Sequence, residues 1–284
     1  MALRNPIEWT AEAVGLTRKI RERPASPYYG HVAAARPTVR RIGLLDLRNA
    51  LRAGYDDFGQ HRSDVLFLCL LYPVLGLLFA RAASGNGFLP LVFPIASGFA
   101  LLGPLAGLGL YEMSRRREEG LPADFRNAFG VVRNRAFGSI LTLGAVLFVT
   151  YLLWLLVAWG IYTVTLGPKA PVSAGAFLTD VFTTGAGWAM ILLGTAVGFV
   201  FAWVVLMITA VSFPLLLDRN VGVAQAVATS VQVVRVNPRA MAAWGVVIAG
   251  GLVLGSIPFF VGLIFVLPVL GHATWHLYRR AVAR

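Results

Sequence analysis

Charge is scarce in this sequence, and cysteine is nearly missing. Only 13% of the 284 residues are charged, where a soluble domain runs nearer a quarter. With 57% of the chain hydrophobic, that scarcity excludes an ordinary water-soluble globule. The lone cysteine, Cys69, excludes an intrachain disulfide. It sits inside an apolar run, where a free thiol behaves as a small inert hydrophobe. Catalytic signatures are missing as well. There is no phosphate-binding glycine loop, no HExxH, no nucleophile elbow and no CxxC, so no enzyme class is indicated. The long apolar runs hold almost no ionisable groups apart from Glu112, His272 and His276 near one end. Ion-coupled pumps place acids near the bilayer midplane. Their absence argues against such a transporter, though not against a passive or lipid-handling bundle.

What the chain has is length of apolar sequence. Runs near 65–80, 88–111, 137–166, 188–217, 240–257 and 259–277 approach or exceed the roughly 20 residues that cross a bilayer as helix. The pattern predicts an all-α, polytopic six-helix transmembrane bundle over residues 41–284. Residues 1–40 mix arginine, proline and alanine without steady periodicity and read as a cytoplasmic, mostly disordered tail. The first 60 residues are polar and show no cleavable signal peptide. Gly167 to Gly187 reads as the one long external segment. Prolines 73, 94, 104, 214, 258 and 268 punctuate the runs, which a bundle tolerates where neighbours satisfy the freed carbonyls.

Basic residues outnumber acidic ones, 25 to 13. Counted by side, 23 of the 25 fall on one face of this threading, and only Arg81 and Lys169 fall on the other. The bias places both termini in the cytoplasm. It also accounts for the basicity without nucleic acid, for which no binding motif is present.

Internal similarity organises the layout. PLAGLGLYEMSRR, from Pro104 to Arg116, lies over PVLGHATWHLYRR, from Pro268 to Arg280, without a gap. Proline, a glycine three residues later, an aromatic at the eighth position and a double arginine coincide. A shorter version, PLLLDR, ends the fourth run at Arg219. LRNAL at Leu47 resembles FRNAF at Phe125 and, more loosely, VAQAV at Val223. These recurrences predict three hairpin repeats, each preceded by a cytoplasmic interfacial helix. In the first such helix Leu44, Leu47, Leu51, Tyr55 and Phe58 form an apolar stripe at helical spacing.

The GPLAGLGLYEMSRRRE turn after the second run and the GHATWHLYR ending resemble a bacterial family of predicted integral membrane proteins, domain-of-unknown-function family 2189. The resemblance covers roughly Arg40 to Arg280. It implies a six-span inner-membrane protein and transfers no catalytic residues.

Three features carry candidate chemistry. His272 and His276, four apart on one helical face, can bind a metal or haem if a third ligand comes from elsewhere. Glu112 takes the place of His276 in the repeat and is the nominee, with Met113 a poorer one. As interfacial polar groups beside Trp275 and Tyr278, the histidines serve packing instead. Glu112 and His272 are also candidates for a polar or solute contact, because a polar group in a span normally faces the bundle interior. Asp57, His61 and Asp64 share a spacing a divalent cation can use, although capping at the membrane surface explains them as well. Glycine pairs 103/107, 194/198 and 251/255 permit close helix packing, within the bundle or in a homodimer.

The expectation is therefore a non-catalytic scaffold or accessory subunit that contacts membrane lipids and another membrane protein complex. The alternatives are a transport or lipid-binding protein with a cavity between hairpins, and a metal- or haem-binding protein using His272 and His276. No cofactor is predicted for the leading reading.

Overall fold

Prolines and small residues decide where the helices break and how closely they pack. The computed structural model describes residues 37–60, 86–123, 129–257 and 261–283. Among these residues the chain is all-helical apart from one isolated bridge between Val39 and Val282. Helix α1 spans Leu44–Gln60. The expected first run at 65–80, with Cys69, His61 and Asp64, lies outside the described residues.

The second run is a broken rod. A 3-10 segment at Asn86–Leu91 leads into α2, Val92–Phe99, then a second 3-10 turn at Ala100–Leu102, one α-turn at Gly103–Ala106, and α3, Leu108–Glu118. Pro90, Pro94 and Pro104 explain the interruptions, since each removes a backbone donor. Helix α4, Phe137–Thr165, is unbroken and contains no proline. Its indole at Trp154 donates to the carbonyl of Pro94 at 2.9 Å, which ties α2 to α4.

The segment expected as an external loop contains a helix, α5, Ala174–Thr183. Ser173 starts it, accepting from the amide of Ala176 at 3.2 Å, which is the action of an N-cap serine. Helix α6, Gly185–Thr209, follows, and then α7, Ser212–Asp218. Pro214 cannot donate to the carbonyl of Ala210, four residues back, and the break falls there. Hydroxyls repair it. Ser230 Oγ accepts from the amide of Val211 at 3.3 Å, and Ser212 Oγ donates to the carbonyl of Ala226 at 3.1 Å. Ser230 and Ala226 belong to α8, Val223–Val236, the expected third interfacial helix. Helices α9, Pro238–Ser256, and α10, Leu263–Ala281, complete the chain.

Among the described residues four stretches are long and apolar enough to cross a membrane: Phe88–Glu118, Phe137–Thr165, Gly185–Asp218 and Pro238–Ser256. Large apolar side chains on α4 and α6 face outward, among them Leu141, Leu156, Leu192 and Phe199, each more than 60% exposed. So broad an apolar surface marks contact with lipid. Threonines within α4 return their hydroxyl to a carbonyl three or four residues back, as Thr142 does to Gly138 at 2.9 Å, which satisfies them without water.

The expected sixth run is α10, and it is not among those four stretches. Its second half is instead wrapped by protein. His272, Ala273, Trp275, Leu277 and Tyr278 are all buried. Helix α1 lies antiparallel along it. Arg280 meets Asp46 at one end at 3.4 Å, and Phe265 meets Phe58 edge-on at the other, with ring centroids 5.9 Å apart.

Only part of the apolar stripe expected on α1 packs on protein. Leu44 and Tyr55 are exposed, each 66%. The face against α10 is Leu47, Ala50, Gly54 and Asp57, with Leu51 and Phe58 at its margins. Close approach selects small residues. A Cβ on Gly54 would lie 2.6 Å from the amide nitrogen of Ala273 and 2.7 Å from the carbonyl oxygen of Val269. The expected glycine pairs divide. Gly198 faces the Trp154 ring, and Gly251 and Gly255 face α10 or the turn before it, whereas Gly103 and Gly194 meet none of the described residues within 4 Å.

The two ends of the folded unit are fastened together. Arg40 N–H donates to Ala281 O and Ala283 N–H to Thr38 O, each at 2.8 Å. Asn237, at the α8–α9 junction, accepts from the amide of Ile42 at 2.8 Å and donates to the carbonyl of Arg40 at 3.0 Å. Asn237→Ala is expected to cost about 1–3 kcal/mol, because it strips a part-buried amide of its acceptor. Trypsin should then cut after Arg40 and Arg41 severalfold faster than in the wild type. An unchanged cleavage rate would show that the side chain does not hold this segment.

Candidate functional site

The ionisable groups gather at one end of the bundle, where α1, α3, α7 and α10 meet. The start of α4 lies here too, through a hydrogen bond from Asn134 Nδ2 to the carbonyl of Leu217 at 3.2 Å. Helical spacing supplies the side chains. Ser114, Arg117 and Glu118 stand at i, i+3 and i+4 on α3. His272, His276 and Arg279 stand at i, i+4 and i+7 on α10.

Asp57 is the centre. It is 6% exposed. Its Oδ2 accepts from Ser114 Oγ at 2.6 Å and from His276 Nε2 at 2.9 Å, and its Oδ1 is 2.6 Å from Arg117 Nη1. Burial alone would raise the pKa of this carboxyl. Hydrogen bonds from His276, Ser114 and Arg117 outweigh burial and hold it well below the ordinary carboxylate range.

His272 is fully buried, with Nδ1 2.8 Å from Ser114 Oγ. Ser114 has one proton and gives it to Asp57, so its oxygen accepts from His272. This assigns the Nδ1 proton to His272 and the Nε2 proton to His276. His276, Asp57, Ser114 and His272 thus form one hydrogen-bonded chain from a cleft wall to the interior. Such a chain can orient all four groups and can pass a proton between them.

A second cluster adjoins it. Arg279 pairs with Glu118 at 2.9 Å and with Asp218 at 3.4 Å, and its guanidinium lies 5.9 Å from the ring centroids of both Trp275 and Tyr278. The Trp275 indole donates to Glu118 at 3.1 Å, and Tyr278 donates to Asp218. A cleft of about 290 Å³ opens between the clusters, lined by Asp57, Ser114, Arg117, Glu118, His276, Arg279 and Arg280.

The predicted site residues separate here. His272 and His276 both point to Asp57 Oδ2, at 3.9 and 2.9 Å. Glu112 does not join them. It is 3% exposed and is gripped by Arg115 through both oxygens, each at 2.8 Å, and by Arg116 at 2.7 Å. Met113 is core. Among the described residues no group of three His, Cys, Asp or Glu side chains is arranged to hold a metal ion. Ser114, Arg117, Glu118 and Asp218 carry the site and were not singled out from sequence. Asp57 was singled out for a different reason, its spacing to His61 and Asp64, which lie outside the described residues.

No curated protein and no solved structure shows a significant match to the chain. The family model described as Predicted integral membrane protein (DUF2189) matches residues 92–218. That segment runs from the start of α2 to the end of α7. It includes Glu112, Ser114, Arg117, Glu118 and Asp218, and leaves out α1 and α10 with Asp57 and both histidines. The resemblance drawn from the sequence motifs is borne out over this narrower stretch, residues 92–218, which match the model of a family of predicted integral membrane proteins.

Proposed function

We propose that this integral membrane protein is a non-catalytic scaffold or accessory subunit of the bacterial inner membrane. In this reading it has six spans in three hairpins and both termini in the cytoplasm. The bias of the basic residues and the recurring proline–aromatic–arginine frame support the threading. The hub supports the scaffold role. Asp57, Glu118 and Asp218 are each held by side chains from another helix, which fixes helix ends against one another and leaves broad apolar faces on α4 and α6 for lipid or a membrane partner. Purified in mild detergent from its own host, the protein should appear by native mass spectrometry as a complex of fixed stoichiometry. A bare monomer that carries nothing would overturn the reading.

The cleft favours one second reading, binding of a small polar lipid headgroup or solute. Its walls carry both guanidinium and carboxylate groups, which suits a ligand of mixed charge. The wall histidine is His276, since His272 is buried behind Ser114. A lipid adduct in the native mass spectrum, lost in His276→Ala, would carry this reading. Persistence of the adduct in that variant would place the lipid elsewhere.

A further inference from the structure

The end of the bundle far from the hub carries a feature that the hub does not explain. Helix α4 has 29 residues, about 43 Å at 1.5 Å per residue, and its start lies at the hub. Its other end leads to Gly167 and α5. There Tyr162 donates to the carbonyl of Lys169 at 2.6 Å, and its ring packs on Phe177 with centroids 6.3 Å apart.

Successive residues turn by about 100° in an α-helix. On α5 this sorts the side chains into three sectors. Phe177 and Val181 share the sector that faces the bundle, and Val181 is 6% exposed. Leu178 and Phe182, four apart, share a second sector, and they are 53% and 58% exposed. Thr179, Asp180 and Thr183 take the third and are exposed. A helix at the edge of a soluble globule needs two sectors, one for protein and one for water. A third, apolar and exposed, requires a third medium.

The neighbourhood identifies that medium. The adjoining ends of α4 and α6 and the preceding loop also carry exposed apolar side chains, at Val164, Val172 and Trp188. They join the outward apolar faces of α4 and α6 already assigned to lipid. Trp188 donates its indole N–H to the carbonyl of Phe182 at 3.1 Å, so the aromatic groups at this end are fixed in place. Tryptophan and tyrosine collect where acyl chains meet headgroups. A helix with an apolar sector beside a polar one lies in that boundary.

We infer that α5 is an interfacial helix, seated in the boundary of the leaflet opposite the hub. Leu178 and Phe182 enter the acyl region, while Thr179, Asp180 and Thr183 face water. The partner of this surface is the lipid bilayer.

Spin labels test the inference on the full chain in lipid nanodiscs. In a Cys69→Ser background, nitroxides are attached at Leu178→Cys, Phe182→Cys, Thr179→Cys and Thr183→Cys, one at a time. Collision rates with dissolved oxygen and with a water-soluble nickel chelate are then measured. Labels at 178 and 182 should collide severalfold more with oxygen than with the chelate. Labels at 179 and 183 should show the reverse. Equal chelate access at all four positions would put α5 in water and overturn the inference. So would labels at 178 and 182 shielded from both reagents, which would assign the face to a second copy or another protein.

Discussion

Gly54→Ala is expected to lower the thermal unfolding midpoint sharply, while Gly59→Ala, five residues along the same helix, raises it slightly. Replacing a helical glycine with alanine ordinarily stabilises by roughly 0.5–1 kcal/mol, because glycine loses more backbone freedom on folding. Gly59 is exposed, with none of the described residues within 4 Å of its added methyl, so the ordinary sign holds, reduced by its place near the helix end. At Gly54 the methyl would meet backbone atoms of α10 at 2.6 and 2.7 Å. No rotamer change relieves that contact. The whole of α1 or α10 must shift, and overpacking of this kind costs about 1–3 kcal/mol or more. A shift of α1 also carries Asp57 away from Ser114 and His276, adding the loss of those bonds. Tryptophan emission on heating, at one scan rate in one detergent, compares the two variants. Midpoints raised equally in both would mean that the helix backbones do not touch at Gly54.

This close approach explains why the face of α1 packed on α10 is not its apolar stripe. Hydropathy patterns rank side chains by polarity, and Leu44 and Tyr55 rank high. The face that two helices share at short distance is chosen by size as well, so Ala50 and Gly54 displace larger residues. A carboxylate completes that face. Nothing local to α1 announces that Asp57 is buried, because its partners Ser114 and His276 lie 57 and 219 residues away in sequence. The pairing of Glu112 with Arg115 and Arg116 is different. It runs at i+3 and i+4 on one helix and was legible from spacing alone. Read that way, Glu112 is already occupied and is a poor nominee for a metal.

The helix breaks were legible where proline made them. Pro214 and the prolines of the second run end helices as their chemistry requires. Helix α5 was hidden by Gly167, Pro168 and Pro171 just ahead of it, which read as loop. Ser173 was the available signal, a helix-capping residue directly before a mixed apolar run. The recurring frame was legible as sequence but takes two forms in space. Pro104 opens a single α-turn that breaks at Gly107, whereas Pro268 sits inside the continuous α10. Burial by α1 on one side and α3 on another is what distinguishes the second setting.

Asp57 is where the fold and the site meet, and its removal is the second large effect expected. Asp57→Ala leaves the Arg117 guanidinium beside an empty space and takes the acceptor from Ser114 and His276. Breaking one partner out of a buried ion pair costs about 3–5 kcal/mol. Arg117 keeps 18% of its side chain exposed, so the lower end of that range applies. Asp57→Asn should do little better, since one acceptor oxygen becomes a donor that faces other donors. Arg117→Ala alone should cost less than Asp57→Ala, because Ser114 and His276 still hold the carboxylate. The double variant should cost less than the sum of the two, which measures their coupling. The same carboxylate sets an acid limb. Its pKa is depressed in the folded state, so its contribution is complete above the ordinary carboxylate value near 3.9 and is lost as pH falls below it. Wild-type stability should therefore decline more steeply than that of Asp57→Asn below about pH 4. Unfolding midpoints measured from pH 7 downward decide the matter: parallel acid limbs, with Asp57→Ala as stable as the wild type at neutral pH, would remove Asp57 from the centre of the hub.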